Sequence, residues 1–457
     1  MENVRPQYSK KPFAEALTDL LRKQSGDPRA KVSLRDFSGR VDGWKYETLR
    51  KQIVADRKLQ PEAIEAMADA LGVSPEHFLE YRQSKIQQAI SDHPELVDLV
   101  YDLLVSRAKS LDAIAVPIIS RVLDTLVAQE NLGSDLAGKV LELIMDGQVG
   151  DAQSAAFLMG LRVKGETGDE IFGMAETMRK FGTPVHLRSM ERVVDIVGTG
   201  GDRLATFNIS TTAAFVAVAA GARIPKHGSR GQTSSSGSAD FVQALGANID
   251  LSPERVVESV DQVGIGFMFA PLYYKVIRNL FPLRRSLNMR TTLNFIGPLL
   301  NPANVKRQLT GVSDPHYLKA LAEALGHQGA EHAWLVYGDD GLDELSITGP
   351  TTVVEVREGV VGEPFSVSPE MYGLQRHGFG ELIAGTPERN AEVSKRVLSG
   401  EQGGALDIVA LNAGAALFLA GVAESVADGV ERALEAVESG KAWNKMMEFV
   451  DFSRRAD

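Results

Sequence analysis

Up to about residue 90 the apolar positions recur at helical spacing in short runs: Phe13 to Lys23, then SLRDFSGRV behind a capping Ser33, then Lys45 to Ala55, then PEAIEAMADALG, then PEHFLEYR opened by Ser74-Pro75. Pro61 suits a first helical turn and Gly72 a stop. A charged stretch, SDHPELVDLVYDLLVSRAKS, predicts a connector helix. Four amphipathic segments follow: AVPIISRVLDTLVAQ, SDLAGKVLELIMDG, DAQSAAFLMGLRVKG and DEIFGMAETMRKFG. They open near Ser, Asp or Gly and close near Gly, the punctuation of consecutive helices. From Val193 the pattern changes. VVDIVG, ARIPKHG and HAWLVYG are short strand-like runs, separated by STTAAFVAVAAG and ADFVQALGA at helical spacing. Such alternation predicts an α/β domain with a central, mainly parallel sheet. ALDIVALNAGAALFLAG and ESVADGVERALEAVES read as closing helices. The expected division is multidomain: an all-α domain over 1–85, a connector helix over 86–112, an α-helical domain over 113–187 and an α/β domain over 188–457. Part of 270–300 is expected to pack with the α-helical domain.

Charge divides the chain in a similar way. The protein has 457 residues and a net charge of −11. Residues 1–90 carry sixteen basic and thirteen acidic side chains, net +3, which leaves −14 for the rest. Within them, Leu21 to Lys58 is +6. A basic patch joined to an acidic body implies different partners for the two parts. There is no cysteine, which excludes disulfides, iron–sulfur clusters and thiol catalysis. The start, MENVRPQYSKKPFAE, has no apolar stretch resembling a signal peptide, and the longest apolar runs, near 211–222 and 408–422, are too short for a bilayer. A cytoplasmic enzyme with no membrane association is the expectation.

Three elements are candidates for chemistry. In VVDIVGTGGDRLATFNIS, a strand delivers the chain to Gly198-Thr199-Gly200-Gly201-Asp202 and a helix begins near Ser210-Thr211. Such a loop lets backbone N–H groups approach a pyrophosphate, and the helix N-terminus adds positive potential. It is neither a Walker A loop nor a G-x-G-x-x-G fingerprint, and a simple tight turn is its alternative reading. The second element is Lys226-His227-Gly228-Ser229-Arg230 with Thr233-Ser234-Ser235-Ser236-Gly237-Ser238. Lys226 can neutralise a phosphate and the hydroxyls can ligate its oxygens, although a Ser/Gly-rich loop alone is more often a surface turn. The third is Asp343-Glu344, after HAWLVYGDDG. Adjacent carboxylates at a strand's C-terminal end suit Mg²⁺ shared with substrate phosphates. In isolation such a pair is far more often a solvated surface feature. The remaining histidines form no ligand cluster, and Trp44, Trp334 and Trp443 read as packing residues.

Together, GTGGD…TFNIST at 198–211, KHG.R…SGSADF at 226–241, FAPLY…LRRSLNMRTTLNFIGPLLNPA at 269–303 and GLDELSITGPT at 341–351 resemble the anthranilate phosphoribosyltransferase family over about 113–457. The related pyrimidine nucleoside phosphorylases lack the KHG…SGSAD form. The resemblance implies a nucleoside phosphorylase/phosphoribosyltransferase-like fold, usually dimeric, and transfer of ribose 5-phosphate from phosphoribosyl pyrophosphate to anthranilate in tryptophan biosynthesis. It implies that Gly198, Thr199, Gly200, Gly201, Asp202, Thr206, Asn208, Ile209, Ser210, Thr211, Lys226, His227, Gly228, Ser234 and Ser236 hold the phosphoribosyl pyrophosphate. Ser210, Asp343 and Glu344 would bind Mg²⁺, and Lys226, Asp343 and Glu344 form the catalytic set. Gly198, Ser229, Tyr274 and Arg284 would meet the anthranilate, Arg284 through its carboxylate.

Departures from the family pattern fall at the acceptor side. Ser229 stands where the family usually has Asn, Tyr274-Lys275 where it has His-Pro, and Ser235 where it has Lys. They leave open a different aromatic amine as acceptor. Separately, residues 10–85 resemble a phage-repressor-type helix-turn-helix, most closely at ADALGVSPEHFLEYR, although FSGRVDGW is not the usual short Gly-centred turn. That resemblance would put Lys45, Tyr46, Arg50 and Lys51 on a recognition helix facing DNA phosphates. The alternative is a helical bundle that binds protein. A DNA-binding regulator with a phosphoribosyltransferase-like sensor body is a further reading.

Overall fold

The computed structural model describes residues 9, 11–25, 33–54, 60–93, 118–202, 204–231, 236–275 and 280–455. The chain divides into two compact units, residues 1–111 and 112–457.

In the first unit, α1 (Phe13–Ser25), α2 (Leu34–Ser38), α3 (Tyr46–Val54), α4 (Pro61–Leu71) and α5 (Leu79–Asp92) surround one apolar cluster. Phe13, Ala16, Leu17 and Leu21 form one stripe of α1 at helical spacing, and the Phe13 ring lies 4.5 Å from that of Phe78. Ser33 caps α2 by accepting from Asp36 N, and Gly72, at φ +65°, ends α4. The expected fifth helix at PEHFLEYR is interrupted. A 3₁₀ turn covers Pro75–His77, Phe78 is extended, and α5 starts at Leu79. Phe78 is fully buried, and the break turns its ring into the core. Helix α5 runs without interruption through 85–86, so the expected boundary there falls inside a helix. The rest of the expected connector, from 94 on, lies outside the described residues.

The second unit begins with helices at 118–127 (α6), Ser134–Met145 (α7), Asp151–Lys164 (α8) and Gly168–Lys180 (α9). Helix α9 opens on a reciprocal capping box between Thr167 and Glu170. Glu170, fully buried, also accepts from Leu132 N and pairs with Lys164 at 3.0 Å, so its charge is matched inside the bundle. Helices α7 and α9 cross where a Cβ on Gly173 would collide with the Ser134 carbonyl.

Strands then alternate with helices: β1 (Asp195–Gly198), α10 (Ile209–Ala219), β2 (Ile224–Gly228), α11 (Ser238–Ala244), α12 (Pro253–Gln262), β3 (Ile265–Phe269), β4 (Arg307–Gly311), α13 (Leu318–His327), β5 (His332–Gly338) and β6 (Thr351–Arg357). Two short strands, β7 (Val360–Val361) and β8 (Phe365–Val367), both pair with β6. The chain closes with α14 (Pro387–Leu398), α15 (Gly404–Leu419), α16 (Val426–Glu438) and α17 (Lys441–Arg454). Strands β1–β4–β5 and β2–β3 are parallel, a parallel bridge between Val193 and Arg223 links the two sets, and β6 returns antiparallel to β5. The unit is therefore a helical bundle joined to a large α/β domain with a mostly parallel sheet.

Side chains alternate across the sheet. Ala333 and Leu335 belong to the core shared with the bundle, while Trp334 and Val336 belong to the core under α10 and α15. Helices α10 and α15 are buried almost all round, as their largely apolar sequences require. In the 270–300 segment, Tyr273, Leu283, Leu293 and Phe295 join the bundle core. Among the described residues, no helix is long and apolar enough to cross a membrane.

Candidate active site

The C-terminal ends of β1, β2 and β5 deliver three loops to one cavity of about 350 Å³. After β1, Gly200 (φ +65°) and Gly201 (φ +77°) adopt left-handed backbone open to glycine. A Cβ on Gly198 would strike the Asp343 carboxylate, so this glycine is demanded by close approach. Gly200 N donates to Asp343 Oδ2 at 2.7 Å, which joins the first loop to the third. Arg290 holds the loop from behind. Its guanidinium donates to the carbonyls of Gly200 (2.7 Å) and Gly201 (3.1 Å) and to Ser313 Oγ (2.7 Å), above the Phe295 ring. The Thr199 hydroxyl is turned to Ser313. Asp202, Thr206, Asn208, Ile209 and Ser210 continue the cavity wall into the N-terminus of α10. Thr211 does not reach it: the residue is 1% exposed, on the buried side of the helix.

Strand β2 carries Lys226 and His227 into the wall, at 2% and 8% exposure. Lys226 Nζ donates to the Ile196 carbonyl at 2.5 Å. Burial pulls its pKa down, opposed by the charges of Asp195 and Glu344. Burial, then the neighbouring Lys226 charge, lowers His227 to about 4, so its ring is neutral at pH 7. Gly228, Ser229 and Ser236 complete this side. Asp240 closes the loop by accepting from Gly231 N (2.9 Å) and Gly237 N (3.0 Å) while pairing with Arg230 at 2.8 Å. Ser236 Oγ then donates to Asn208 Oδ1 at 3.1 Å. Ser234 lies outside the described residues.

Asp343 and Glu344 sit together at 8% and 9% exposure. Glu344 Oε1 accepts from Ser210 N at 3.1 Å, at the start of α10. Burial is the first cause that raises both carboxyls. Asp202 pushes Asp343 further, to about 7, and Asp343 pushes Glu344. Asn412, fully buried on α15, fixes the adjoining backbone: its Oδ1 accepts from Leu345 N and its Nδ2 donates to Leu345 O, both at 3.0 Å. Two crowded carboxylates and a serine hydroxyl are hard oxygen donors whose mutual repulsion a divalent cation would relieve, so the residues fit Mg²⁺. Among the described residues no group of three or more His, Cys, Asp or Glu converges as a metal site. The remaining coordination would come from hydroxyl, water and substrate oxygens.

The far end of the cavity is apolar, with Leu280, Leu293 and Ile296 beside Arg284. The Arg284 guanidinium has no hydrogen-bond or ion-pair partner among the described residues, and burial alone lowers its pKa. A partly buried guanidinium without a side-chain partner can pair with a carboxylate. Tyr274 also lines this end, but its hydroxyl is not offered to a ligand. It donates to the Leu300 carbonyl at 2.7 Å, and the ring stands 5.7 Å from that of His227. Tyr274, expected to meet the acceptor, therefore has its ring and not its hydroxyl for the cavity.

A model of the glycosyl transferase family, helical bundle domain, matches residues 117–182, and one of the glycosyl transferase family, a/b domain, matches residues 190–443. An anthranilate phosphoribosyltransferase of Rubrobacter xylanophilus is 48% identical over 329 residues, 72% of this chain and 95% of that protein. This chain belongs to the anthranilate phosphoribosyltransferase family. A family member from Neisseria meningitidis is 44% identical over 73% of this chain and 94% of its own. The crystal structure of the Thermus thermophilus anthranilate phosphoribosyltransferase aligns with a TM-score of 0.68 at 38% identity, covering 73% of this chain and 99% of that one. The Saccharomyces cerevisiae anthranilate phosphoribosyltransferase in complex with PRPP and Mg aligns at 0.67 with 27% identity, over 73% and 97%.

Several residues of this family member were not legible as site residues in the sequence. Arg290 and Ser313 brace the glycine loop, Asp240 clips the serine loop, and Asn412 anchors the backbone beside the acidic pair. Arg290 and Asp240 lie inside the recognised motifs, so position was their available signal. Asn412 had one too, as the polar residue in an otherwise apolar run.

Proposed function

We propose that this chain transfers the 5-phosphoribosyl group of phosphoribosyl pyrophosphate to the amine of anthranilate, giving N-(5-phosphoribosyl)anthranilate and pyrophosphate, in the cytoplasm. The observation that carries this reading is the convergence of the glycine loop, Lys226 and the Asp343–Glu344 pair on one cavity. As the anomeric C–O bond breaks and the C–N bond forms, negative charge develops on the departing pyrophosphate. Lys226, the glycine-loop backbone and the N-terminus of α10 stabilise that charge electrostatically, and no protein nucleophile is required. Mg²⁺, held by Asp343, Glu344 and the Ser210 hydroxyl, would supply the remaining neutralisation of the diphosphate. Arg284 pairs with the acceptor carboxylate, which turns the neutral amine toward the ribose. His227 lines the same cavity with a neutral ring, its Nε2 buried and without a hydrogen-bond partner among the described residues.

Mixing the protein with phosphoribosyl pyrophosphate, Mg²⁺ and anthranilate tests the reading. Anthranilate fluorescence should disappear as pyrophosphate is released, and chelation of Mg²⁺ with EDTA should stop both. A folded sample that leaves anthranilate unchanged would overturn it. A related aromatic amine is the second acceptor reading, favoured by the tied hydroxyl of Tyr274 and the short side chain of Ser229. A panel of amines read by pyrophosphate release separates the two.

For the first unit we propose a helix-turn-helix role in DNA binding, favoured by exposed Lys45 and Arg50 at and on α3. Salt-sensitive retention of duplex DNA, lost when residues 1–90 are removed, is the expected outcome. The family resemblance further favours a homodimer, which sedimentation would measure.

A further inference from the structure

A second hollow, about 680 Å³, lies where the helical bundle passes into the α/β domain. Its walls are the end of α9, the following segment 182–190 and residues 301–306. These segments are fastened together: Thr183 N donates to Tyr273 O at 2.8 Å and Val185 N to Pro302 O at 3.0 Å. Four basic residues line it, Arg179, Lys180, His186 and Lys306, and no carboxylate is among the described lining residues. Lys180 and His186 are exposed and make no hydrogen bond or ion pair among the described residues. Arg179 is held by Asn304 at 2.6 Å and has Glu176 at 3.5 Å, while Lys306 donates to the Gln328 carbonyl at 2.6 Å. Burial and the nearby Arg179 charge pull the Lys306 pKa down, opposed by the charges of Glu176 and Glu331 outside the lining. The floor is of another character. Val185, Pro302, Ala303 and the Tyr274 ring are buried apolar surface, and Met190 stands at the rim, 42% exposed.

We infer that this hollow is a binding site for a small organic anion with one carboxylate and an apolar body. The cations take the carboxylate and the floor takes the hydrocarbon. A bare phosphate would leave most of the volume and all of the apolar floor unused, which is why the carboxylate is favoured over an inorganic anion. The Tyr274 ring lines both this hollow and the acceptor end of the catalytic cavity, so an occupant here shares a wall with the acceptor.

The probe is 3-phenylpropionate, titrated calorimetrically into the full chain carrying Arg284→Ala, which removes the acceptor receptor of the catalytic cavity. Binding should persist in that background. It should weaken by about tenfold or more when Lys180→Glu and Lys306→Gln are added, the loss expected for removing charged hydrogen-bonding partners. The uncharged 3-phenylpropionamide and inorganic phosphate should each bind more weakly by a similar factor. In the chain with Arg284 intact, Lys180→Glu with Lys306→Gln should leave kcat in place, which shows that the fold survives. Binding abolished by Arg284→Ala alone, indifference to the two lysine changes, or equal binding of phosphate would each overturn the site. The calorimetric readout needs no turnover, so it stands or falls separately from the transferase reading.

Discussion

Arg284 is the residue on which acceptor recognition should depend most. Its guanidinium faces an apolar pocket with no partner among the described residues, so a bound carboxylate gains a charged hydrogen bond that nothing in the protein replaces. Arg284→Ala should raise the acceptor KM about ten- to hundredfold, the equivalent of about 1.5–3 kcal/mol, with the KM for phosphoribosyl pyrophosphate little changed. Steady-state kinetics with each substrate varied would check the split. Asn412 acts at a distance from substrate. Asn412→Ala strands the buried N–H and C=O of Leu345 and should cost about 1–3 kcal/mol of stability for each group left unpaired. A lowered melting temperature, together with weaker Mg²⁺ dependence of turnover, is the expected pair of results. Asp343 gives a pH signature. Its folded pKa is raised to about 7, mainly by burial, so the folded metal-free protein holds a proton that the unfolded chain releases near 4. Stability from this group is therefore greatest at low pH and falls as pH rises from near 4 to about 7. Mg²⁺ competes with that proton, so its stabilising effect in thermal melts should grow from pH 6 to pH 8. A Mg²⁺ effect independent of pH would contradict the carboxylate assignment.

Among the elements, a tight constraint joins two helices of the bundle. Helices α7 and α9 approach so closely at Gly173 that any side chain meets the Ser134 backbone, and a Cβ on Gly138 would meet Thr177 and Gly173 in the same contact. Gly173→Ala should therefore destabilise the protein by about 1–3 kcal/mol through overpacking, read as a fall in melting temperature. These helices were legible in the sequence because their apolar stripes and caps agree. Their crossing was not, since a glycine inside a helix shows its purpose only once a neighbour occupies the space. The break at Phe78 is similar. PEHFLEYR has helical spacing, and the burial of one ring outweighs the local preference for a continuous helix. Strands β1, β2 and β5 were legible because a parallel sheet covered on both faces selects β-branched and apolar runs such as VVDIVG, whereas β3, β4 and β6 were not singled out.

At the scale of the whole molecule, the matched residues begin at 117, and 73% of this chain covers 99% of the Thermus enzyme. A chain of residues 112–457 should accordingly keep the kcat of the full protein in the fluorescence assay, and only DNA retention should be lost. Loss of turnover on that truncation would make the first unit part of the transferase. What the sequence determined alone is the family likeness: the glycine loop, KHG…SGSAD and DELS each have a bland reading singly, and only their joint resemblance to the family implies a diphosphate site. Tertiary structure decided which of those side chains face the cavity. Thr211 faces the core, the Thr199 hydroxyl turns to Ser313, and the Tyr274 hydroxyl is tied to Leu300, whereas Arg290 braces the loop from 89 residues away. The physical reason is one of range. Residue type and local spacing are written along the chain, but the direction of a side chain and the partner that satisfies it are settled only when distant segments pack together.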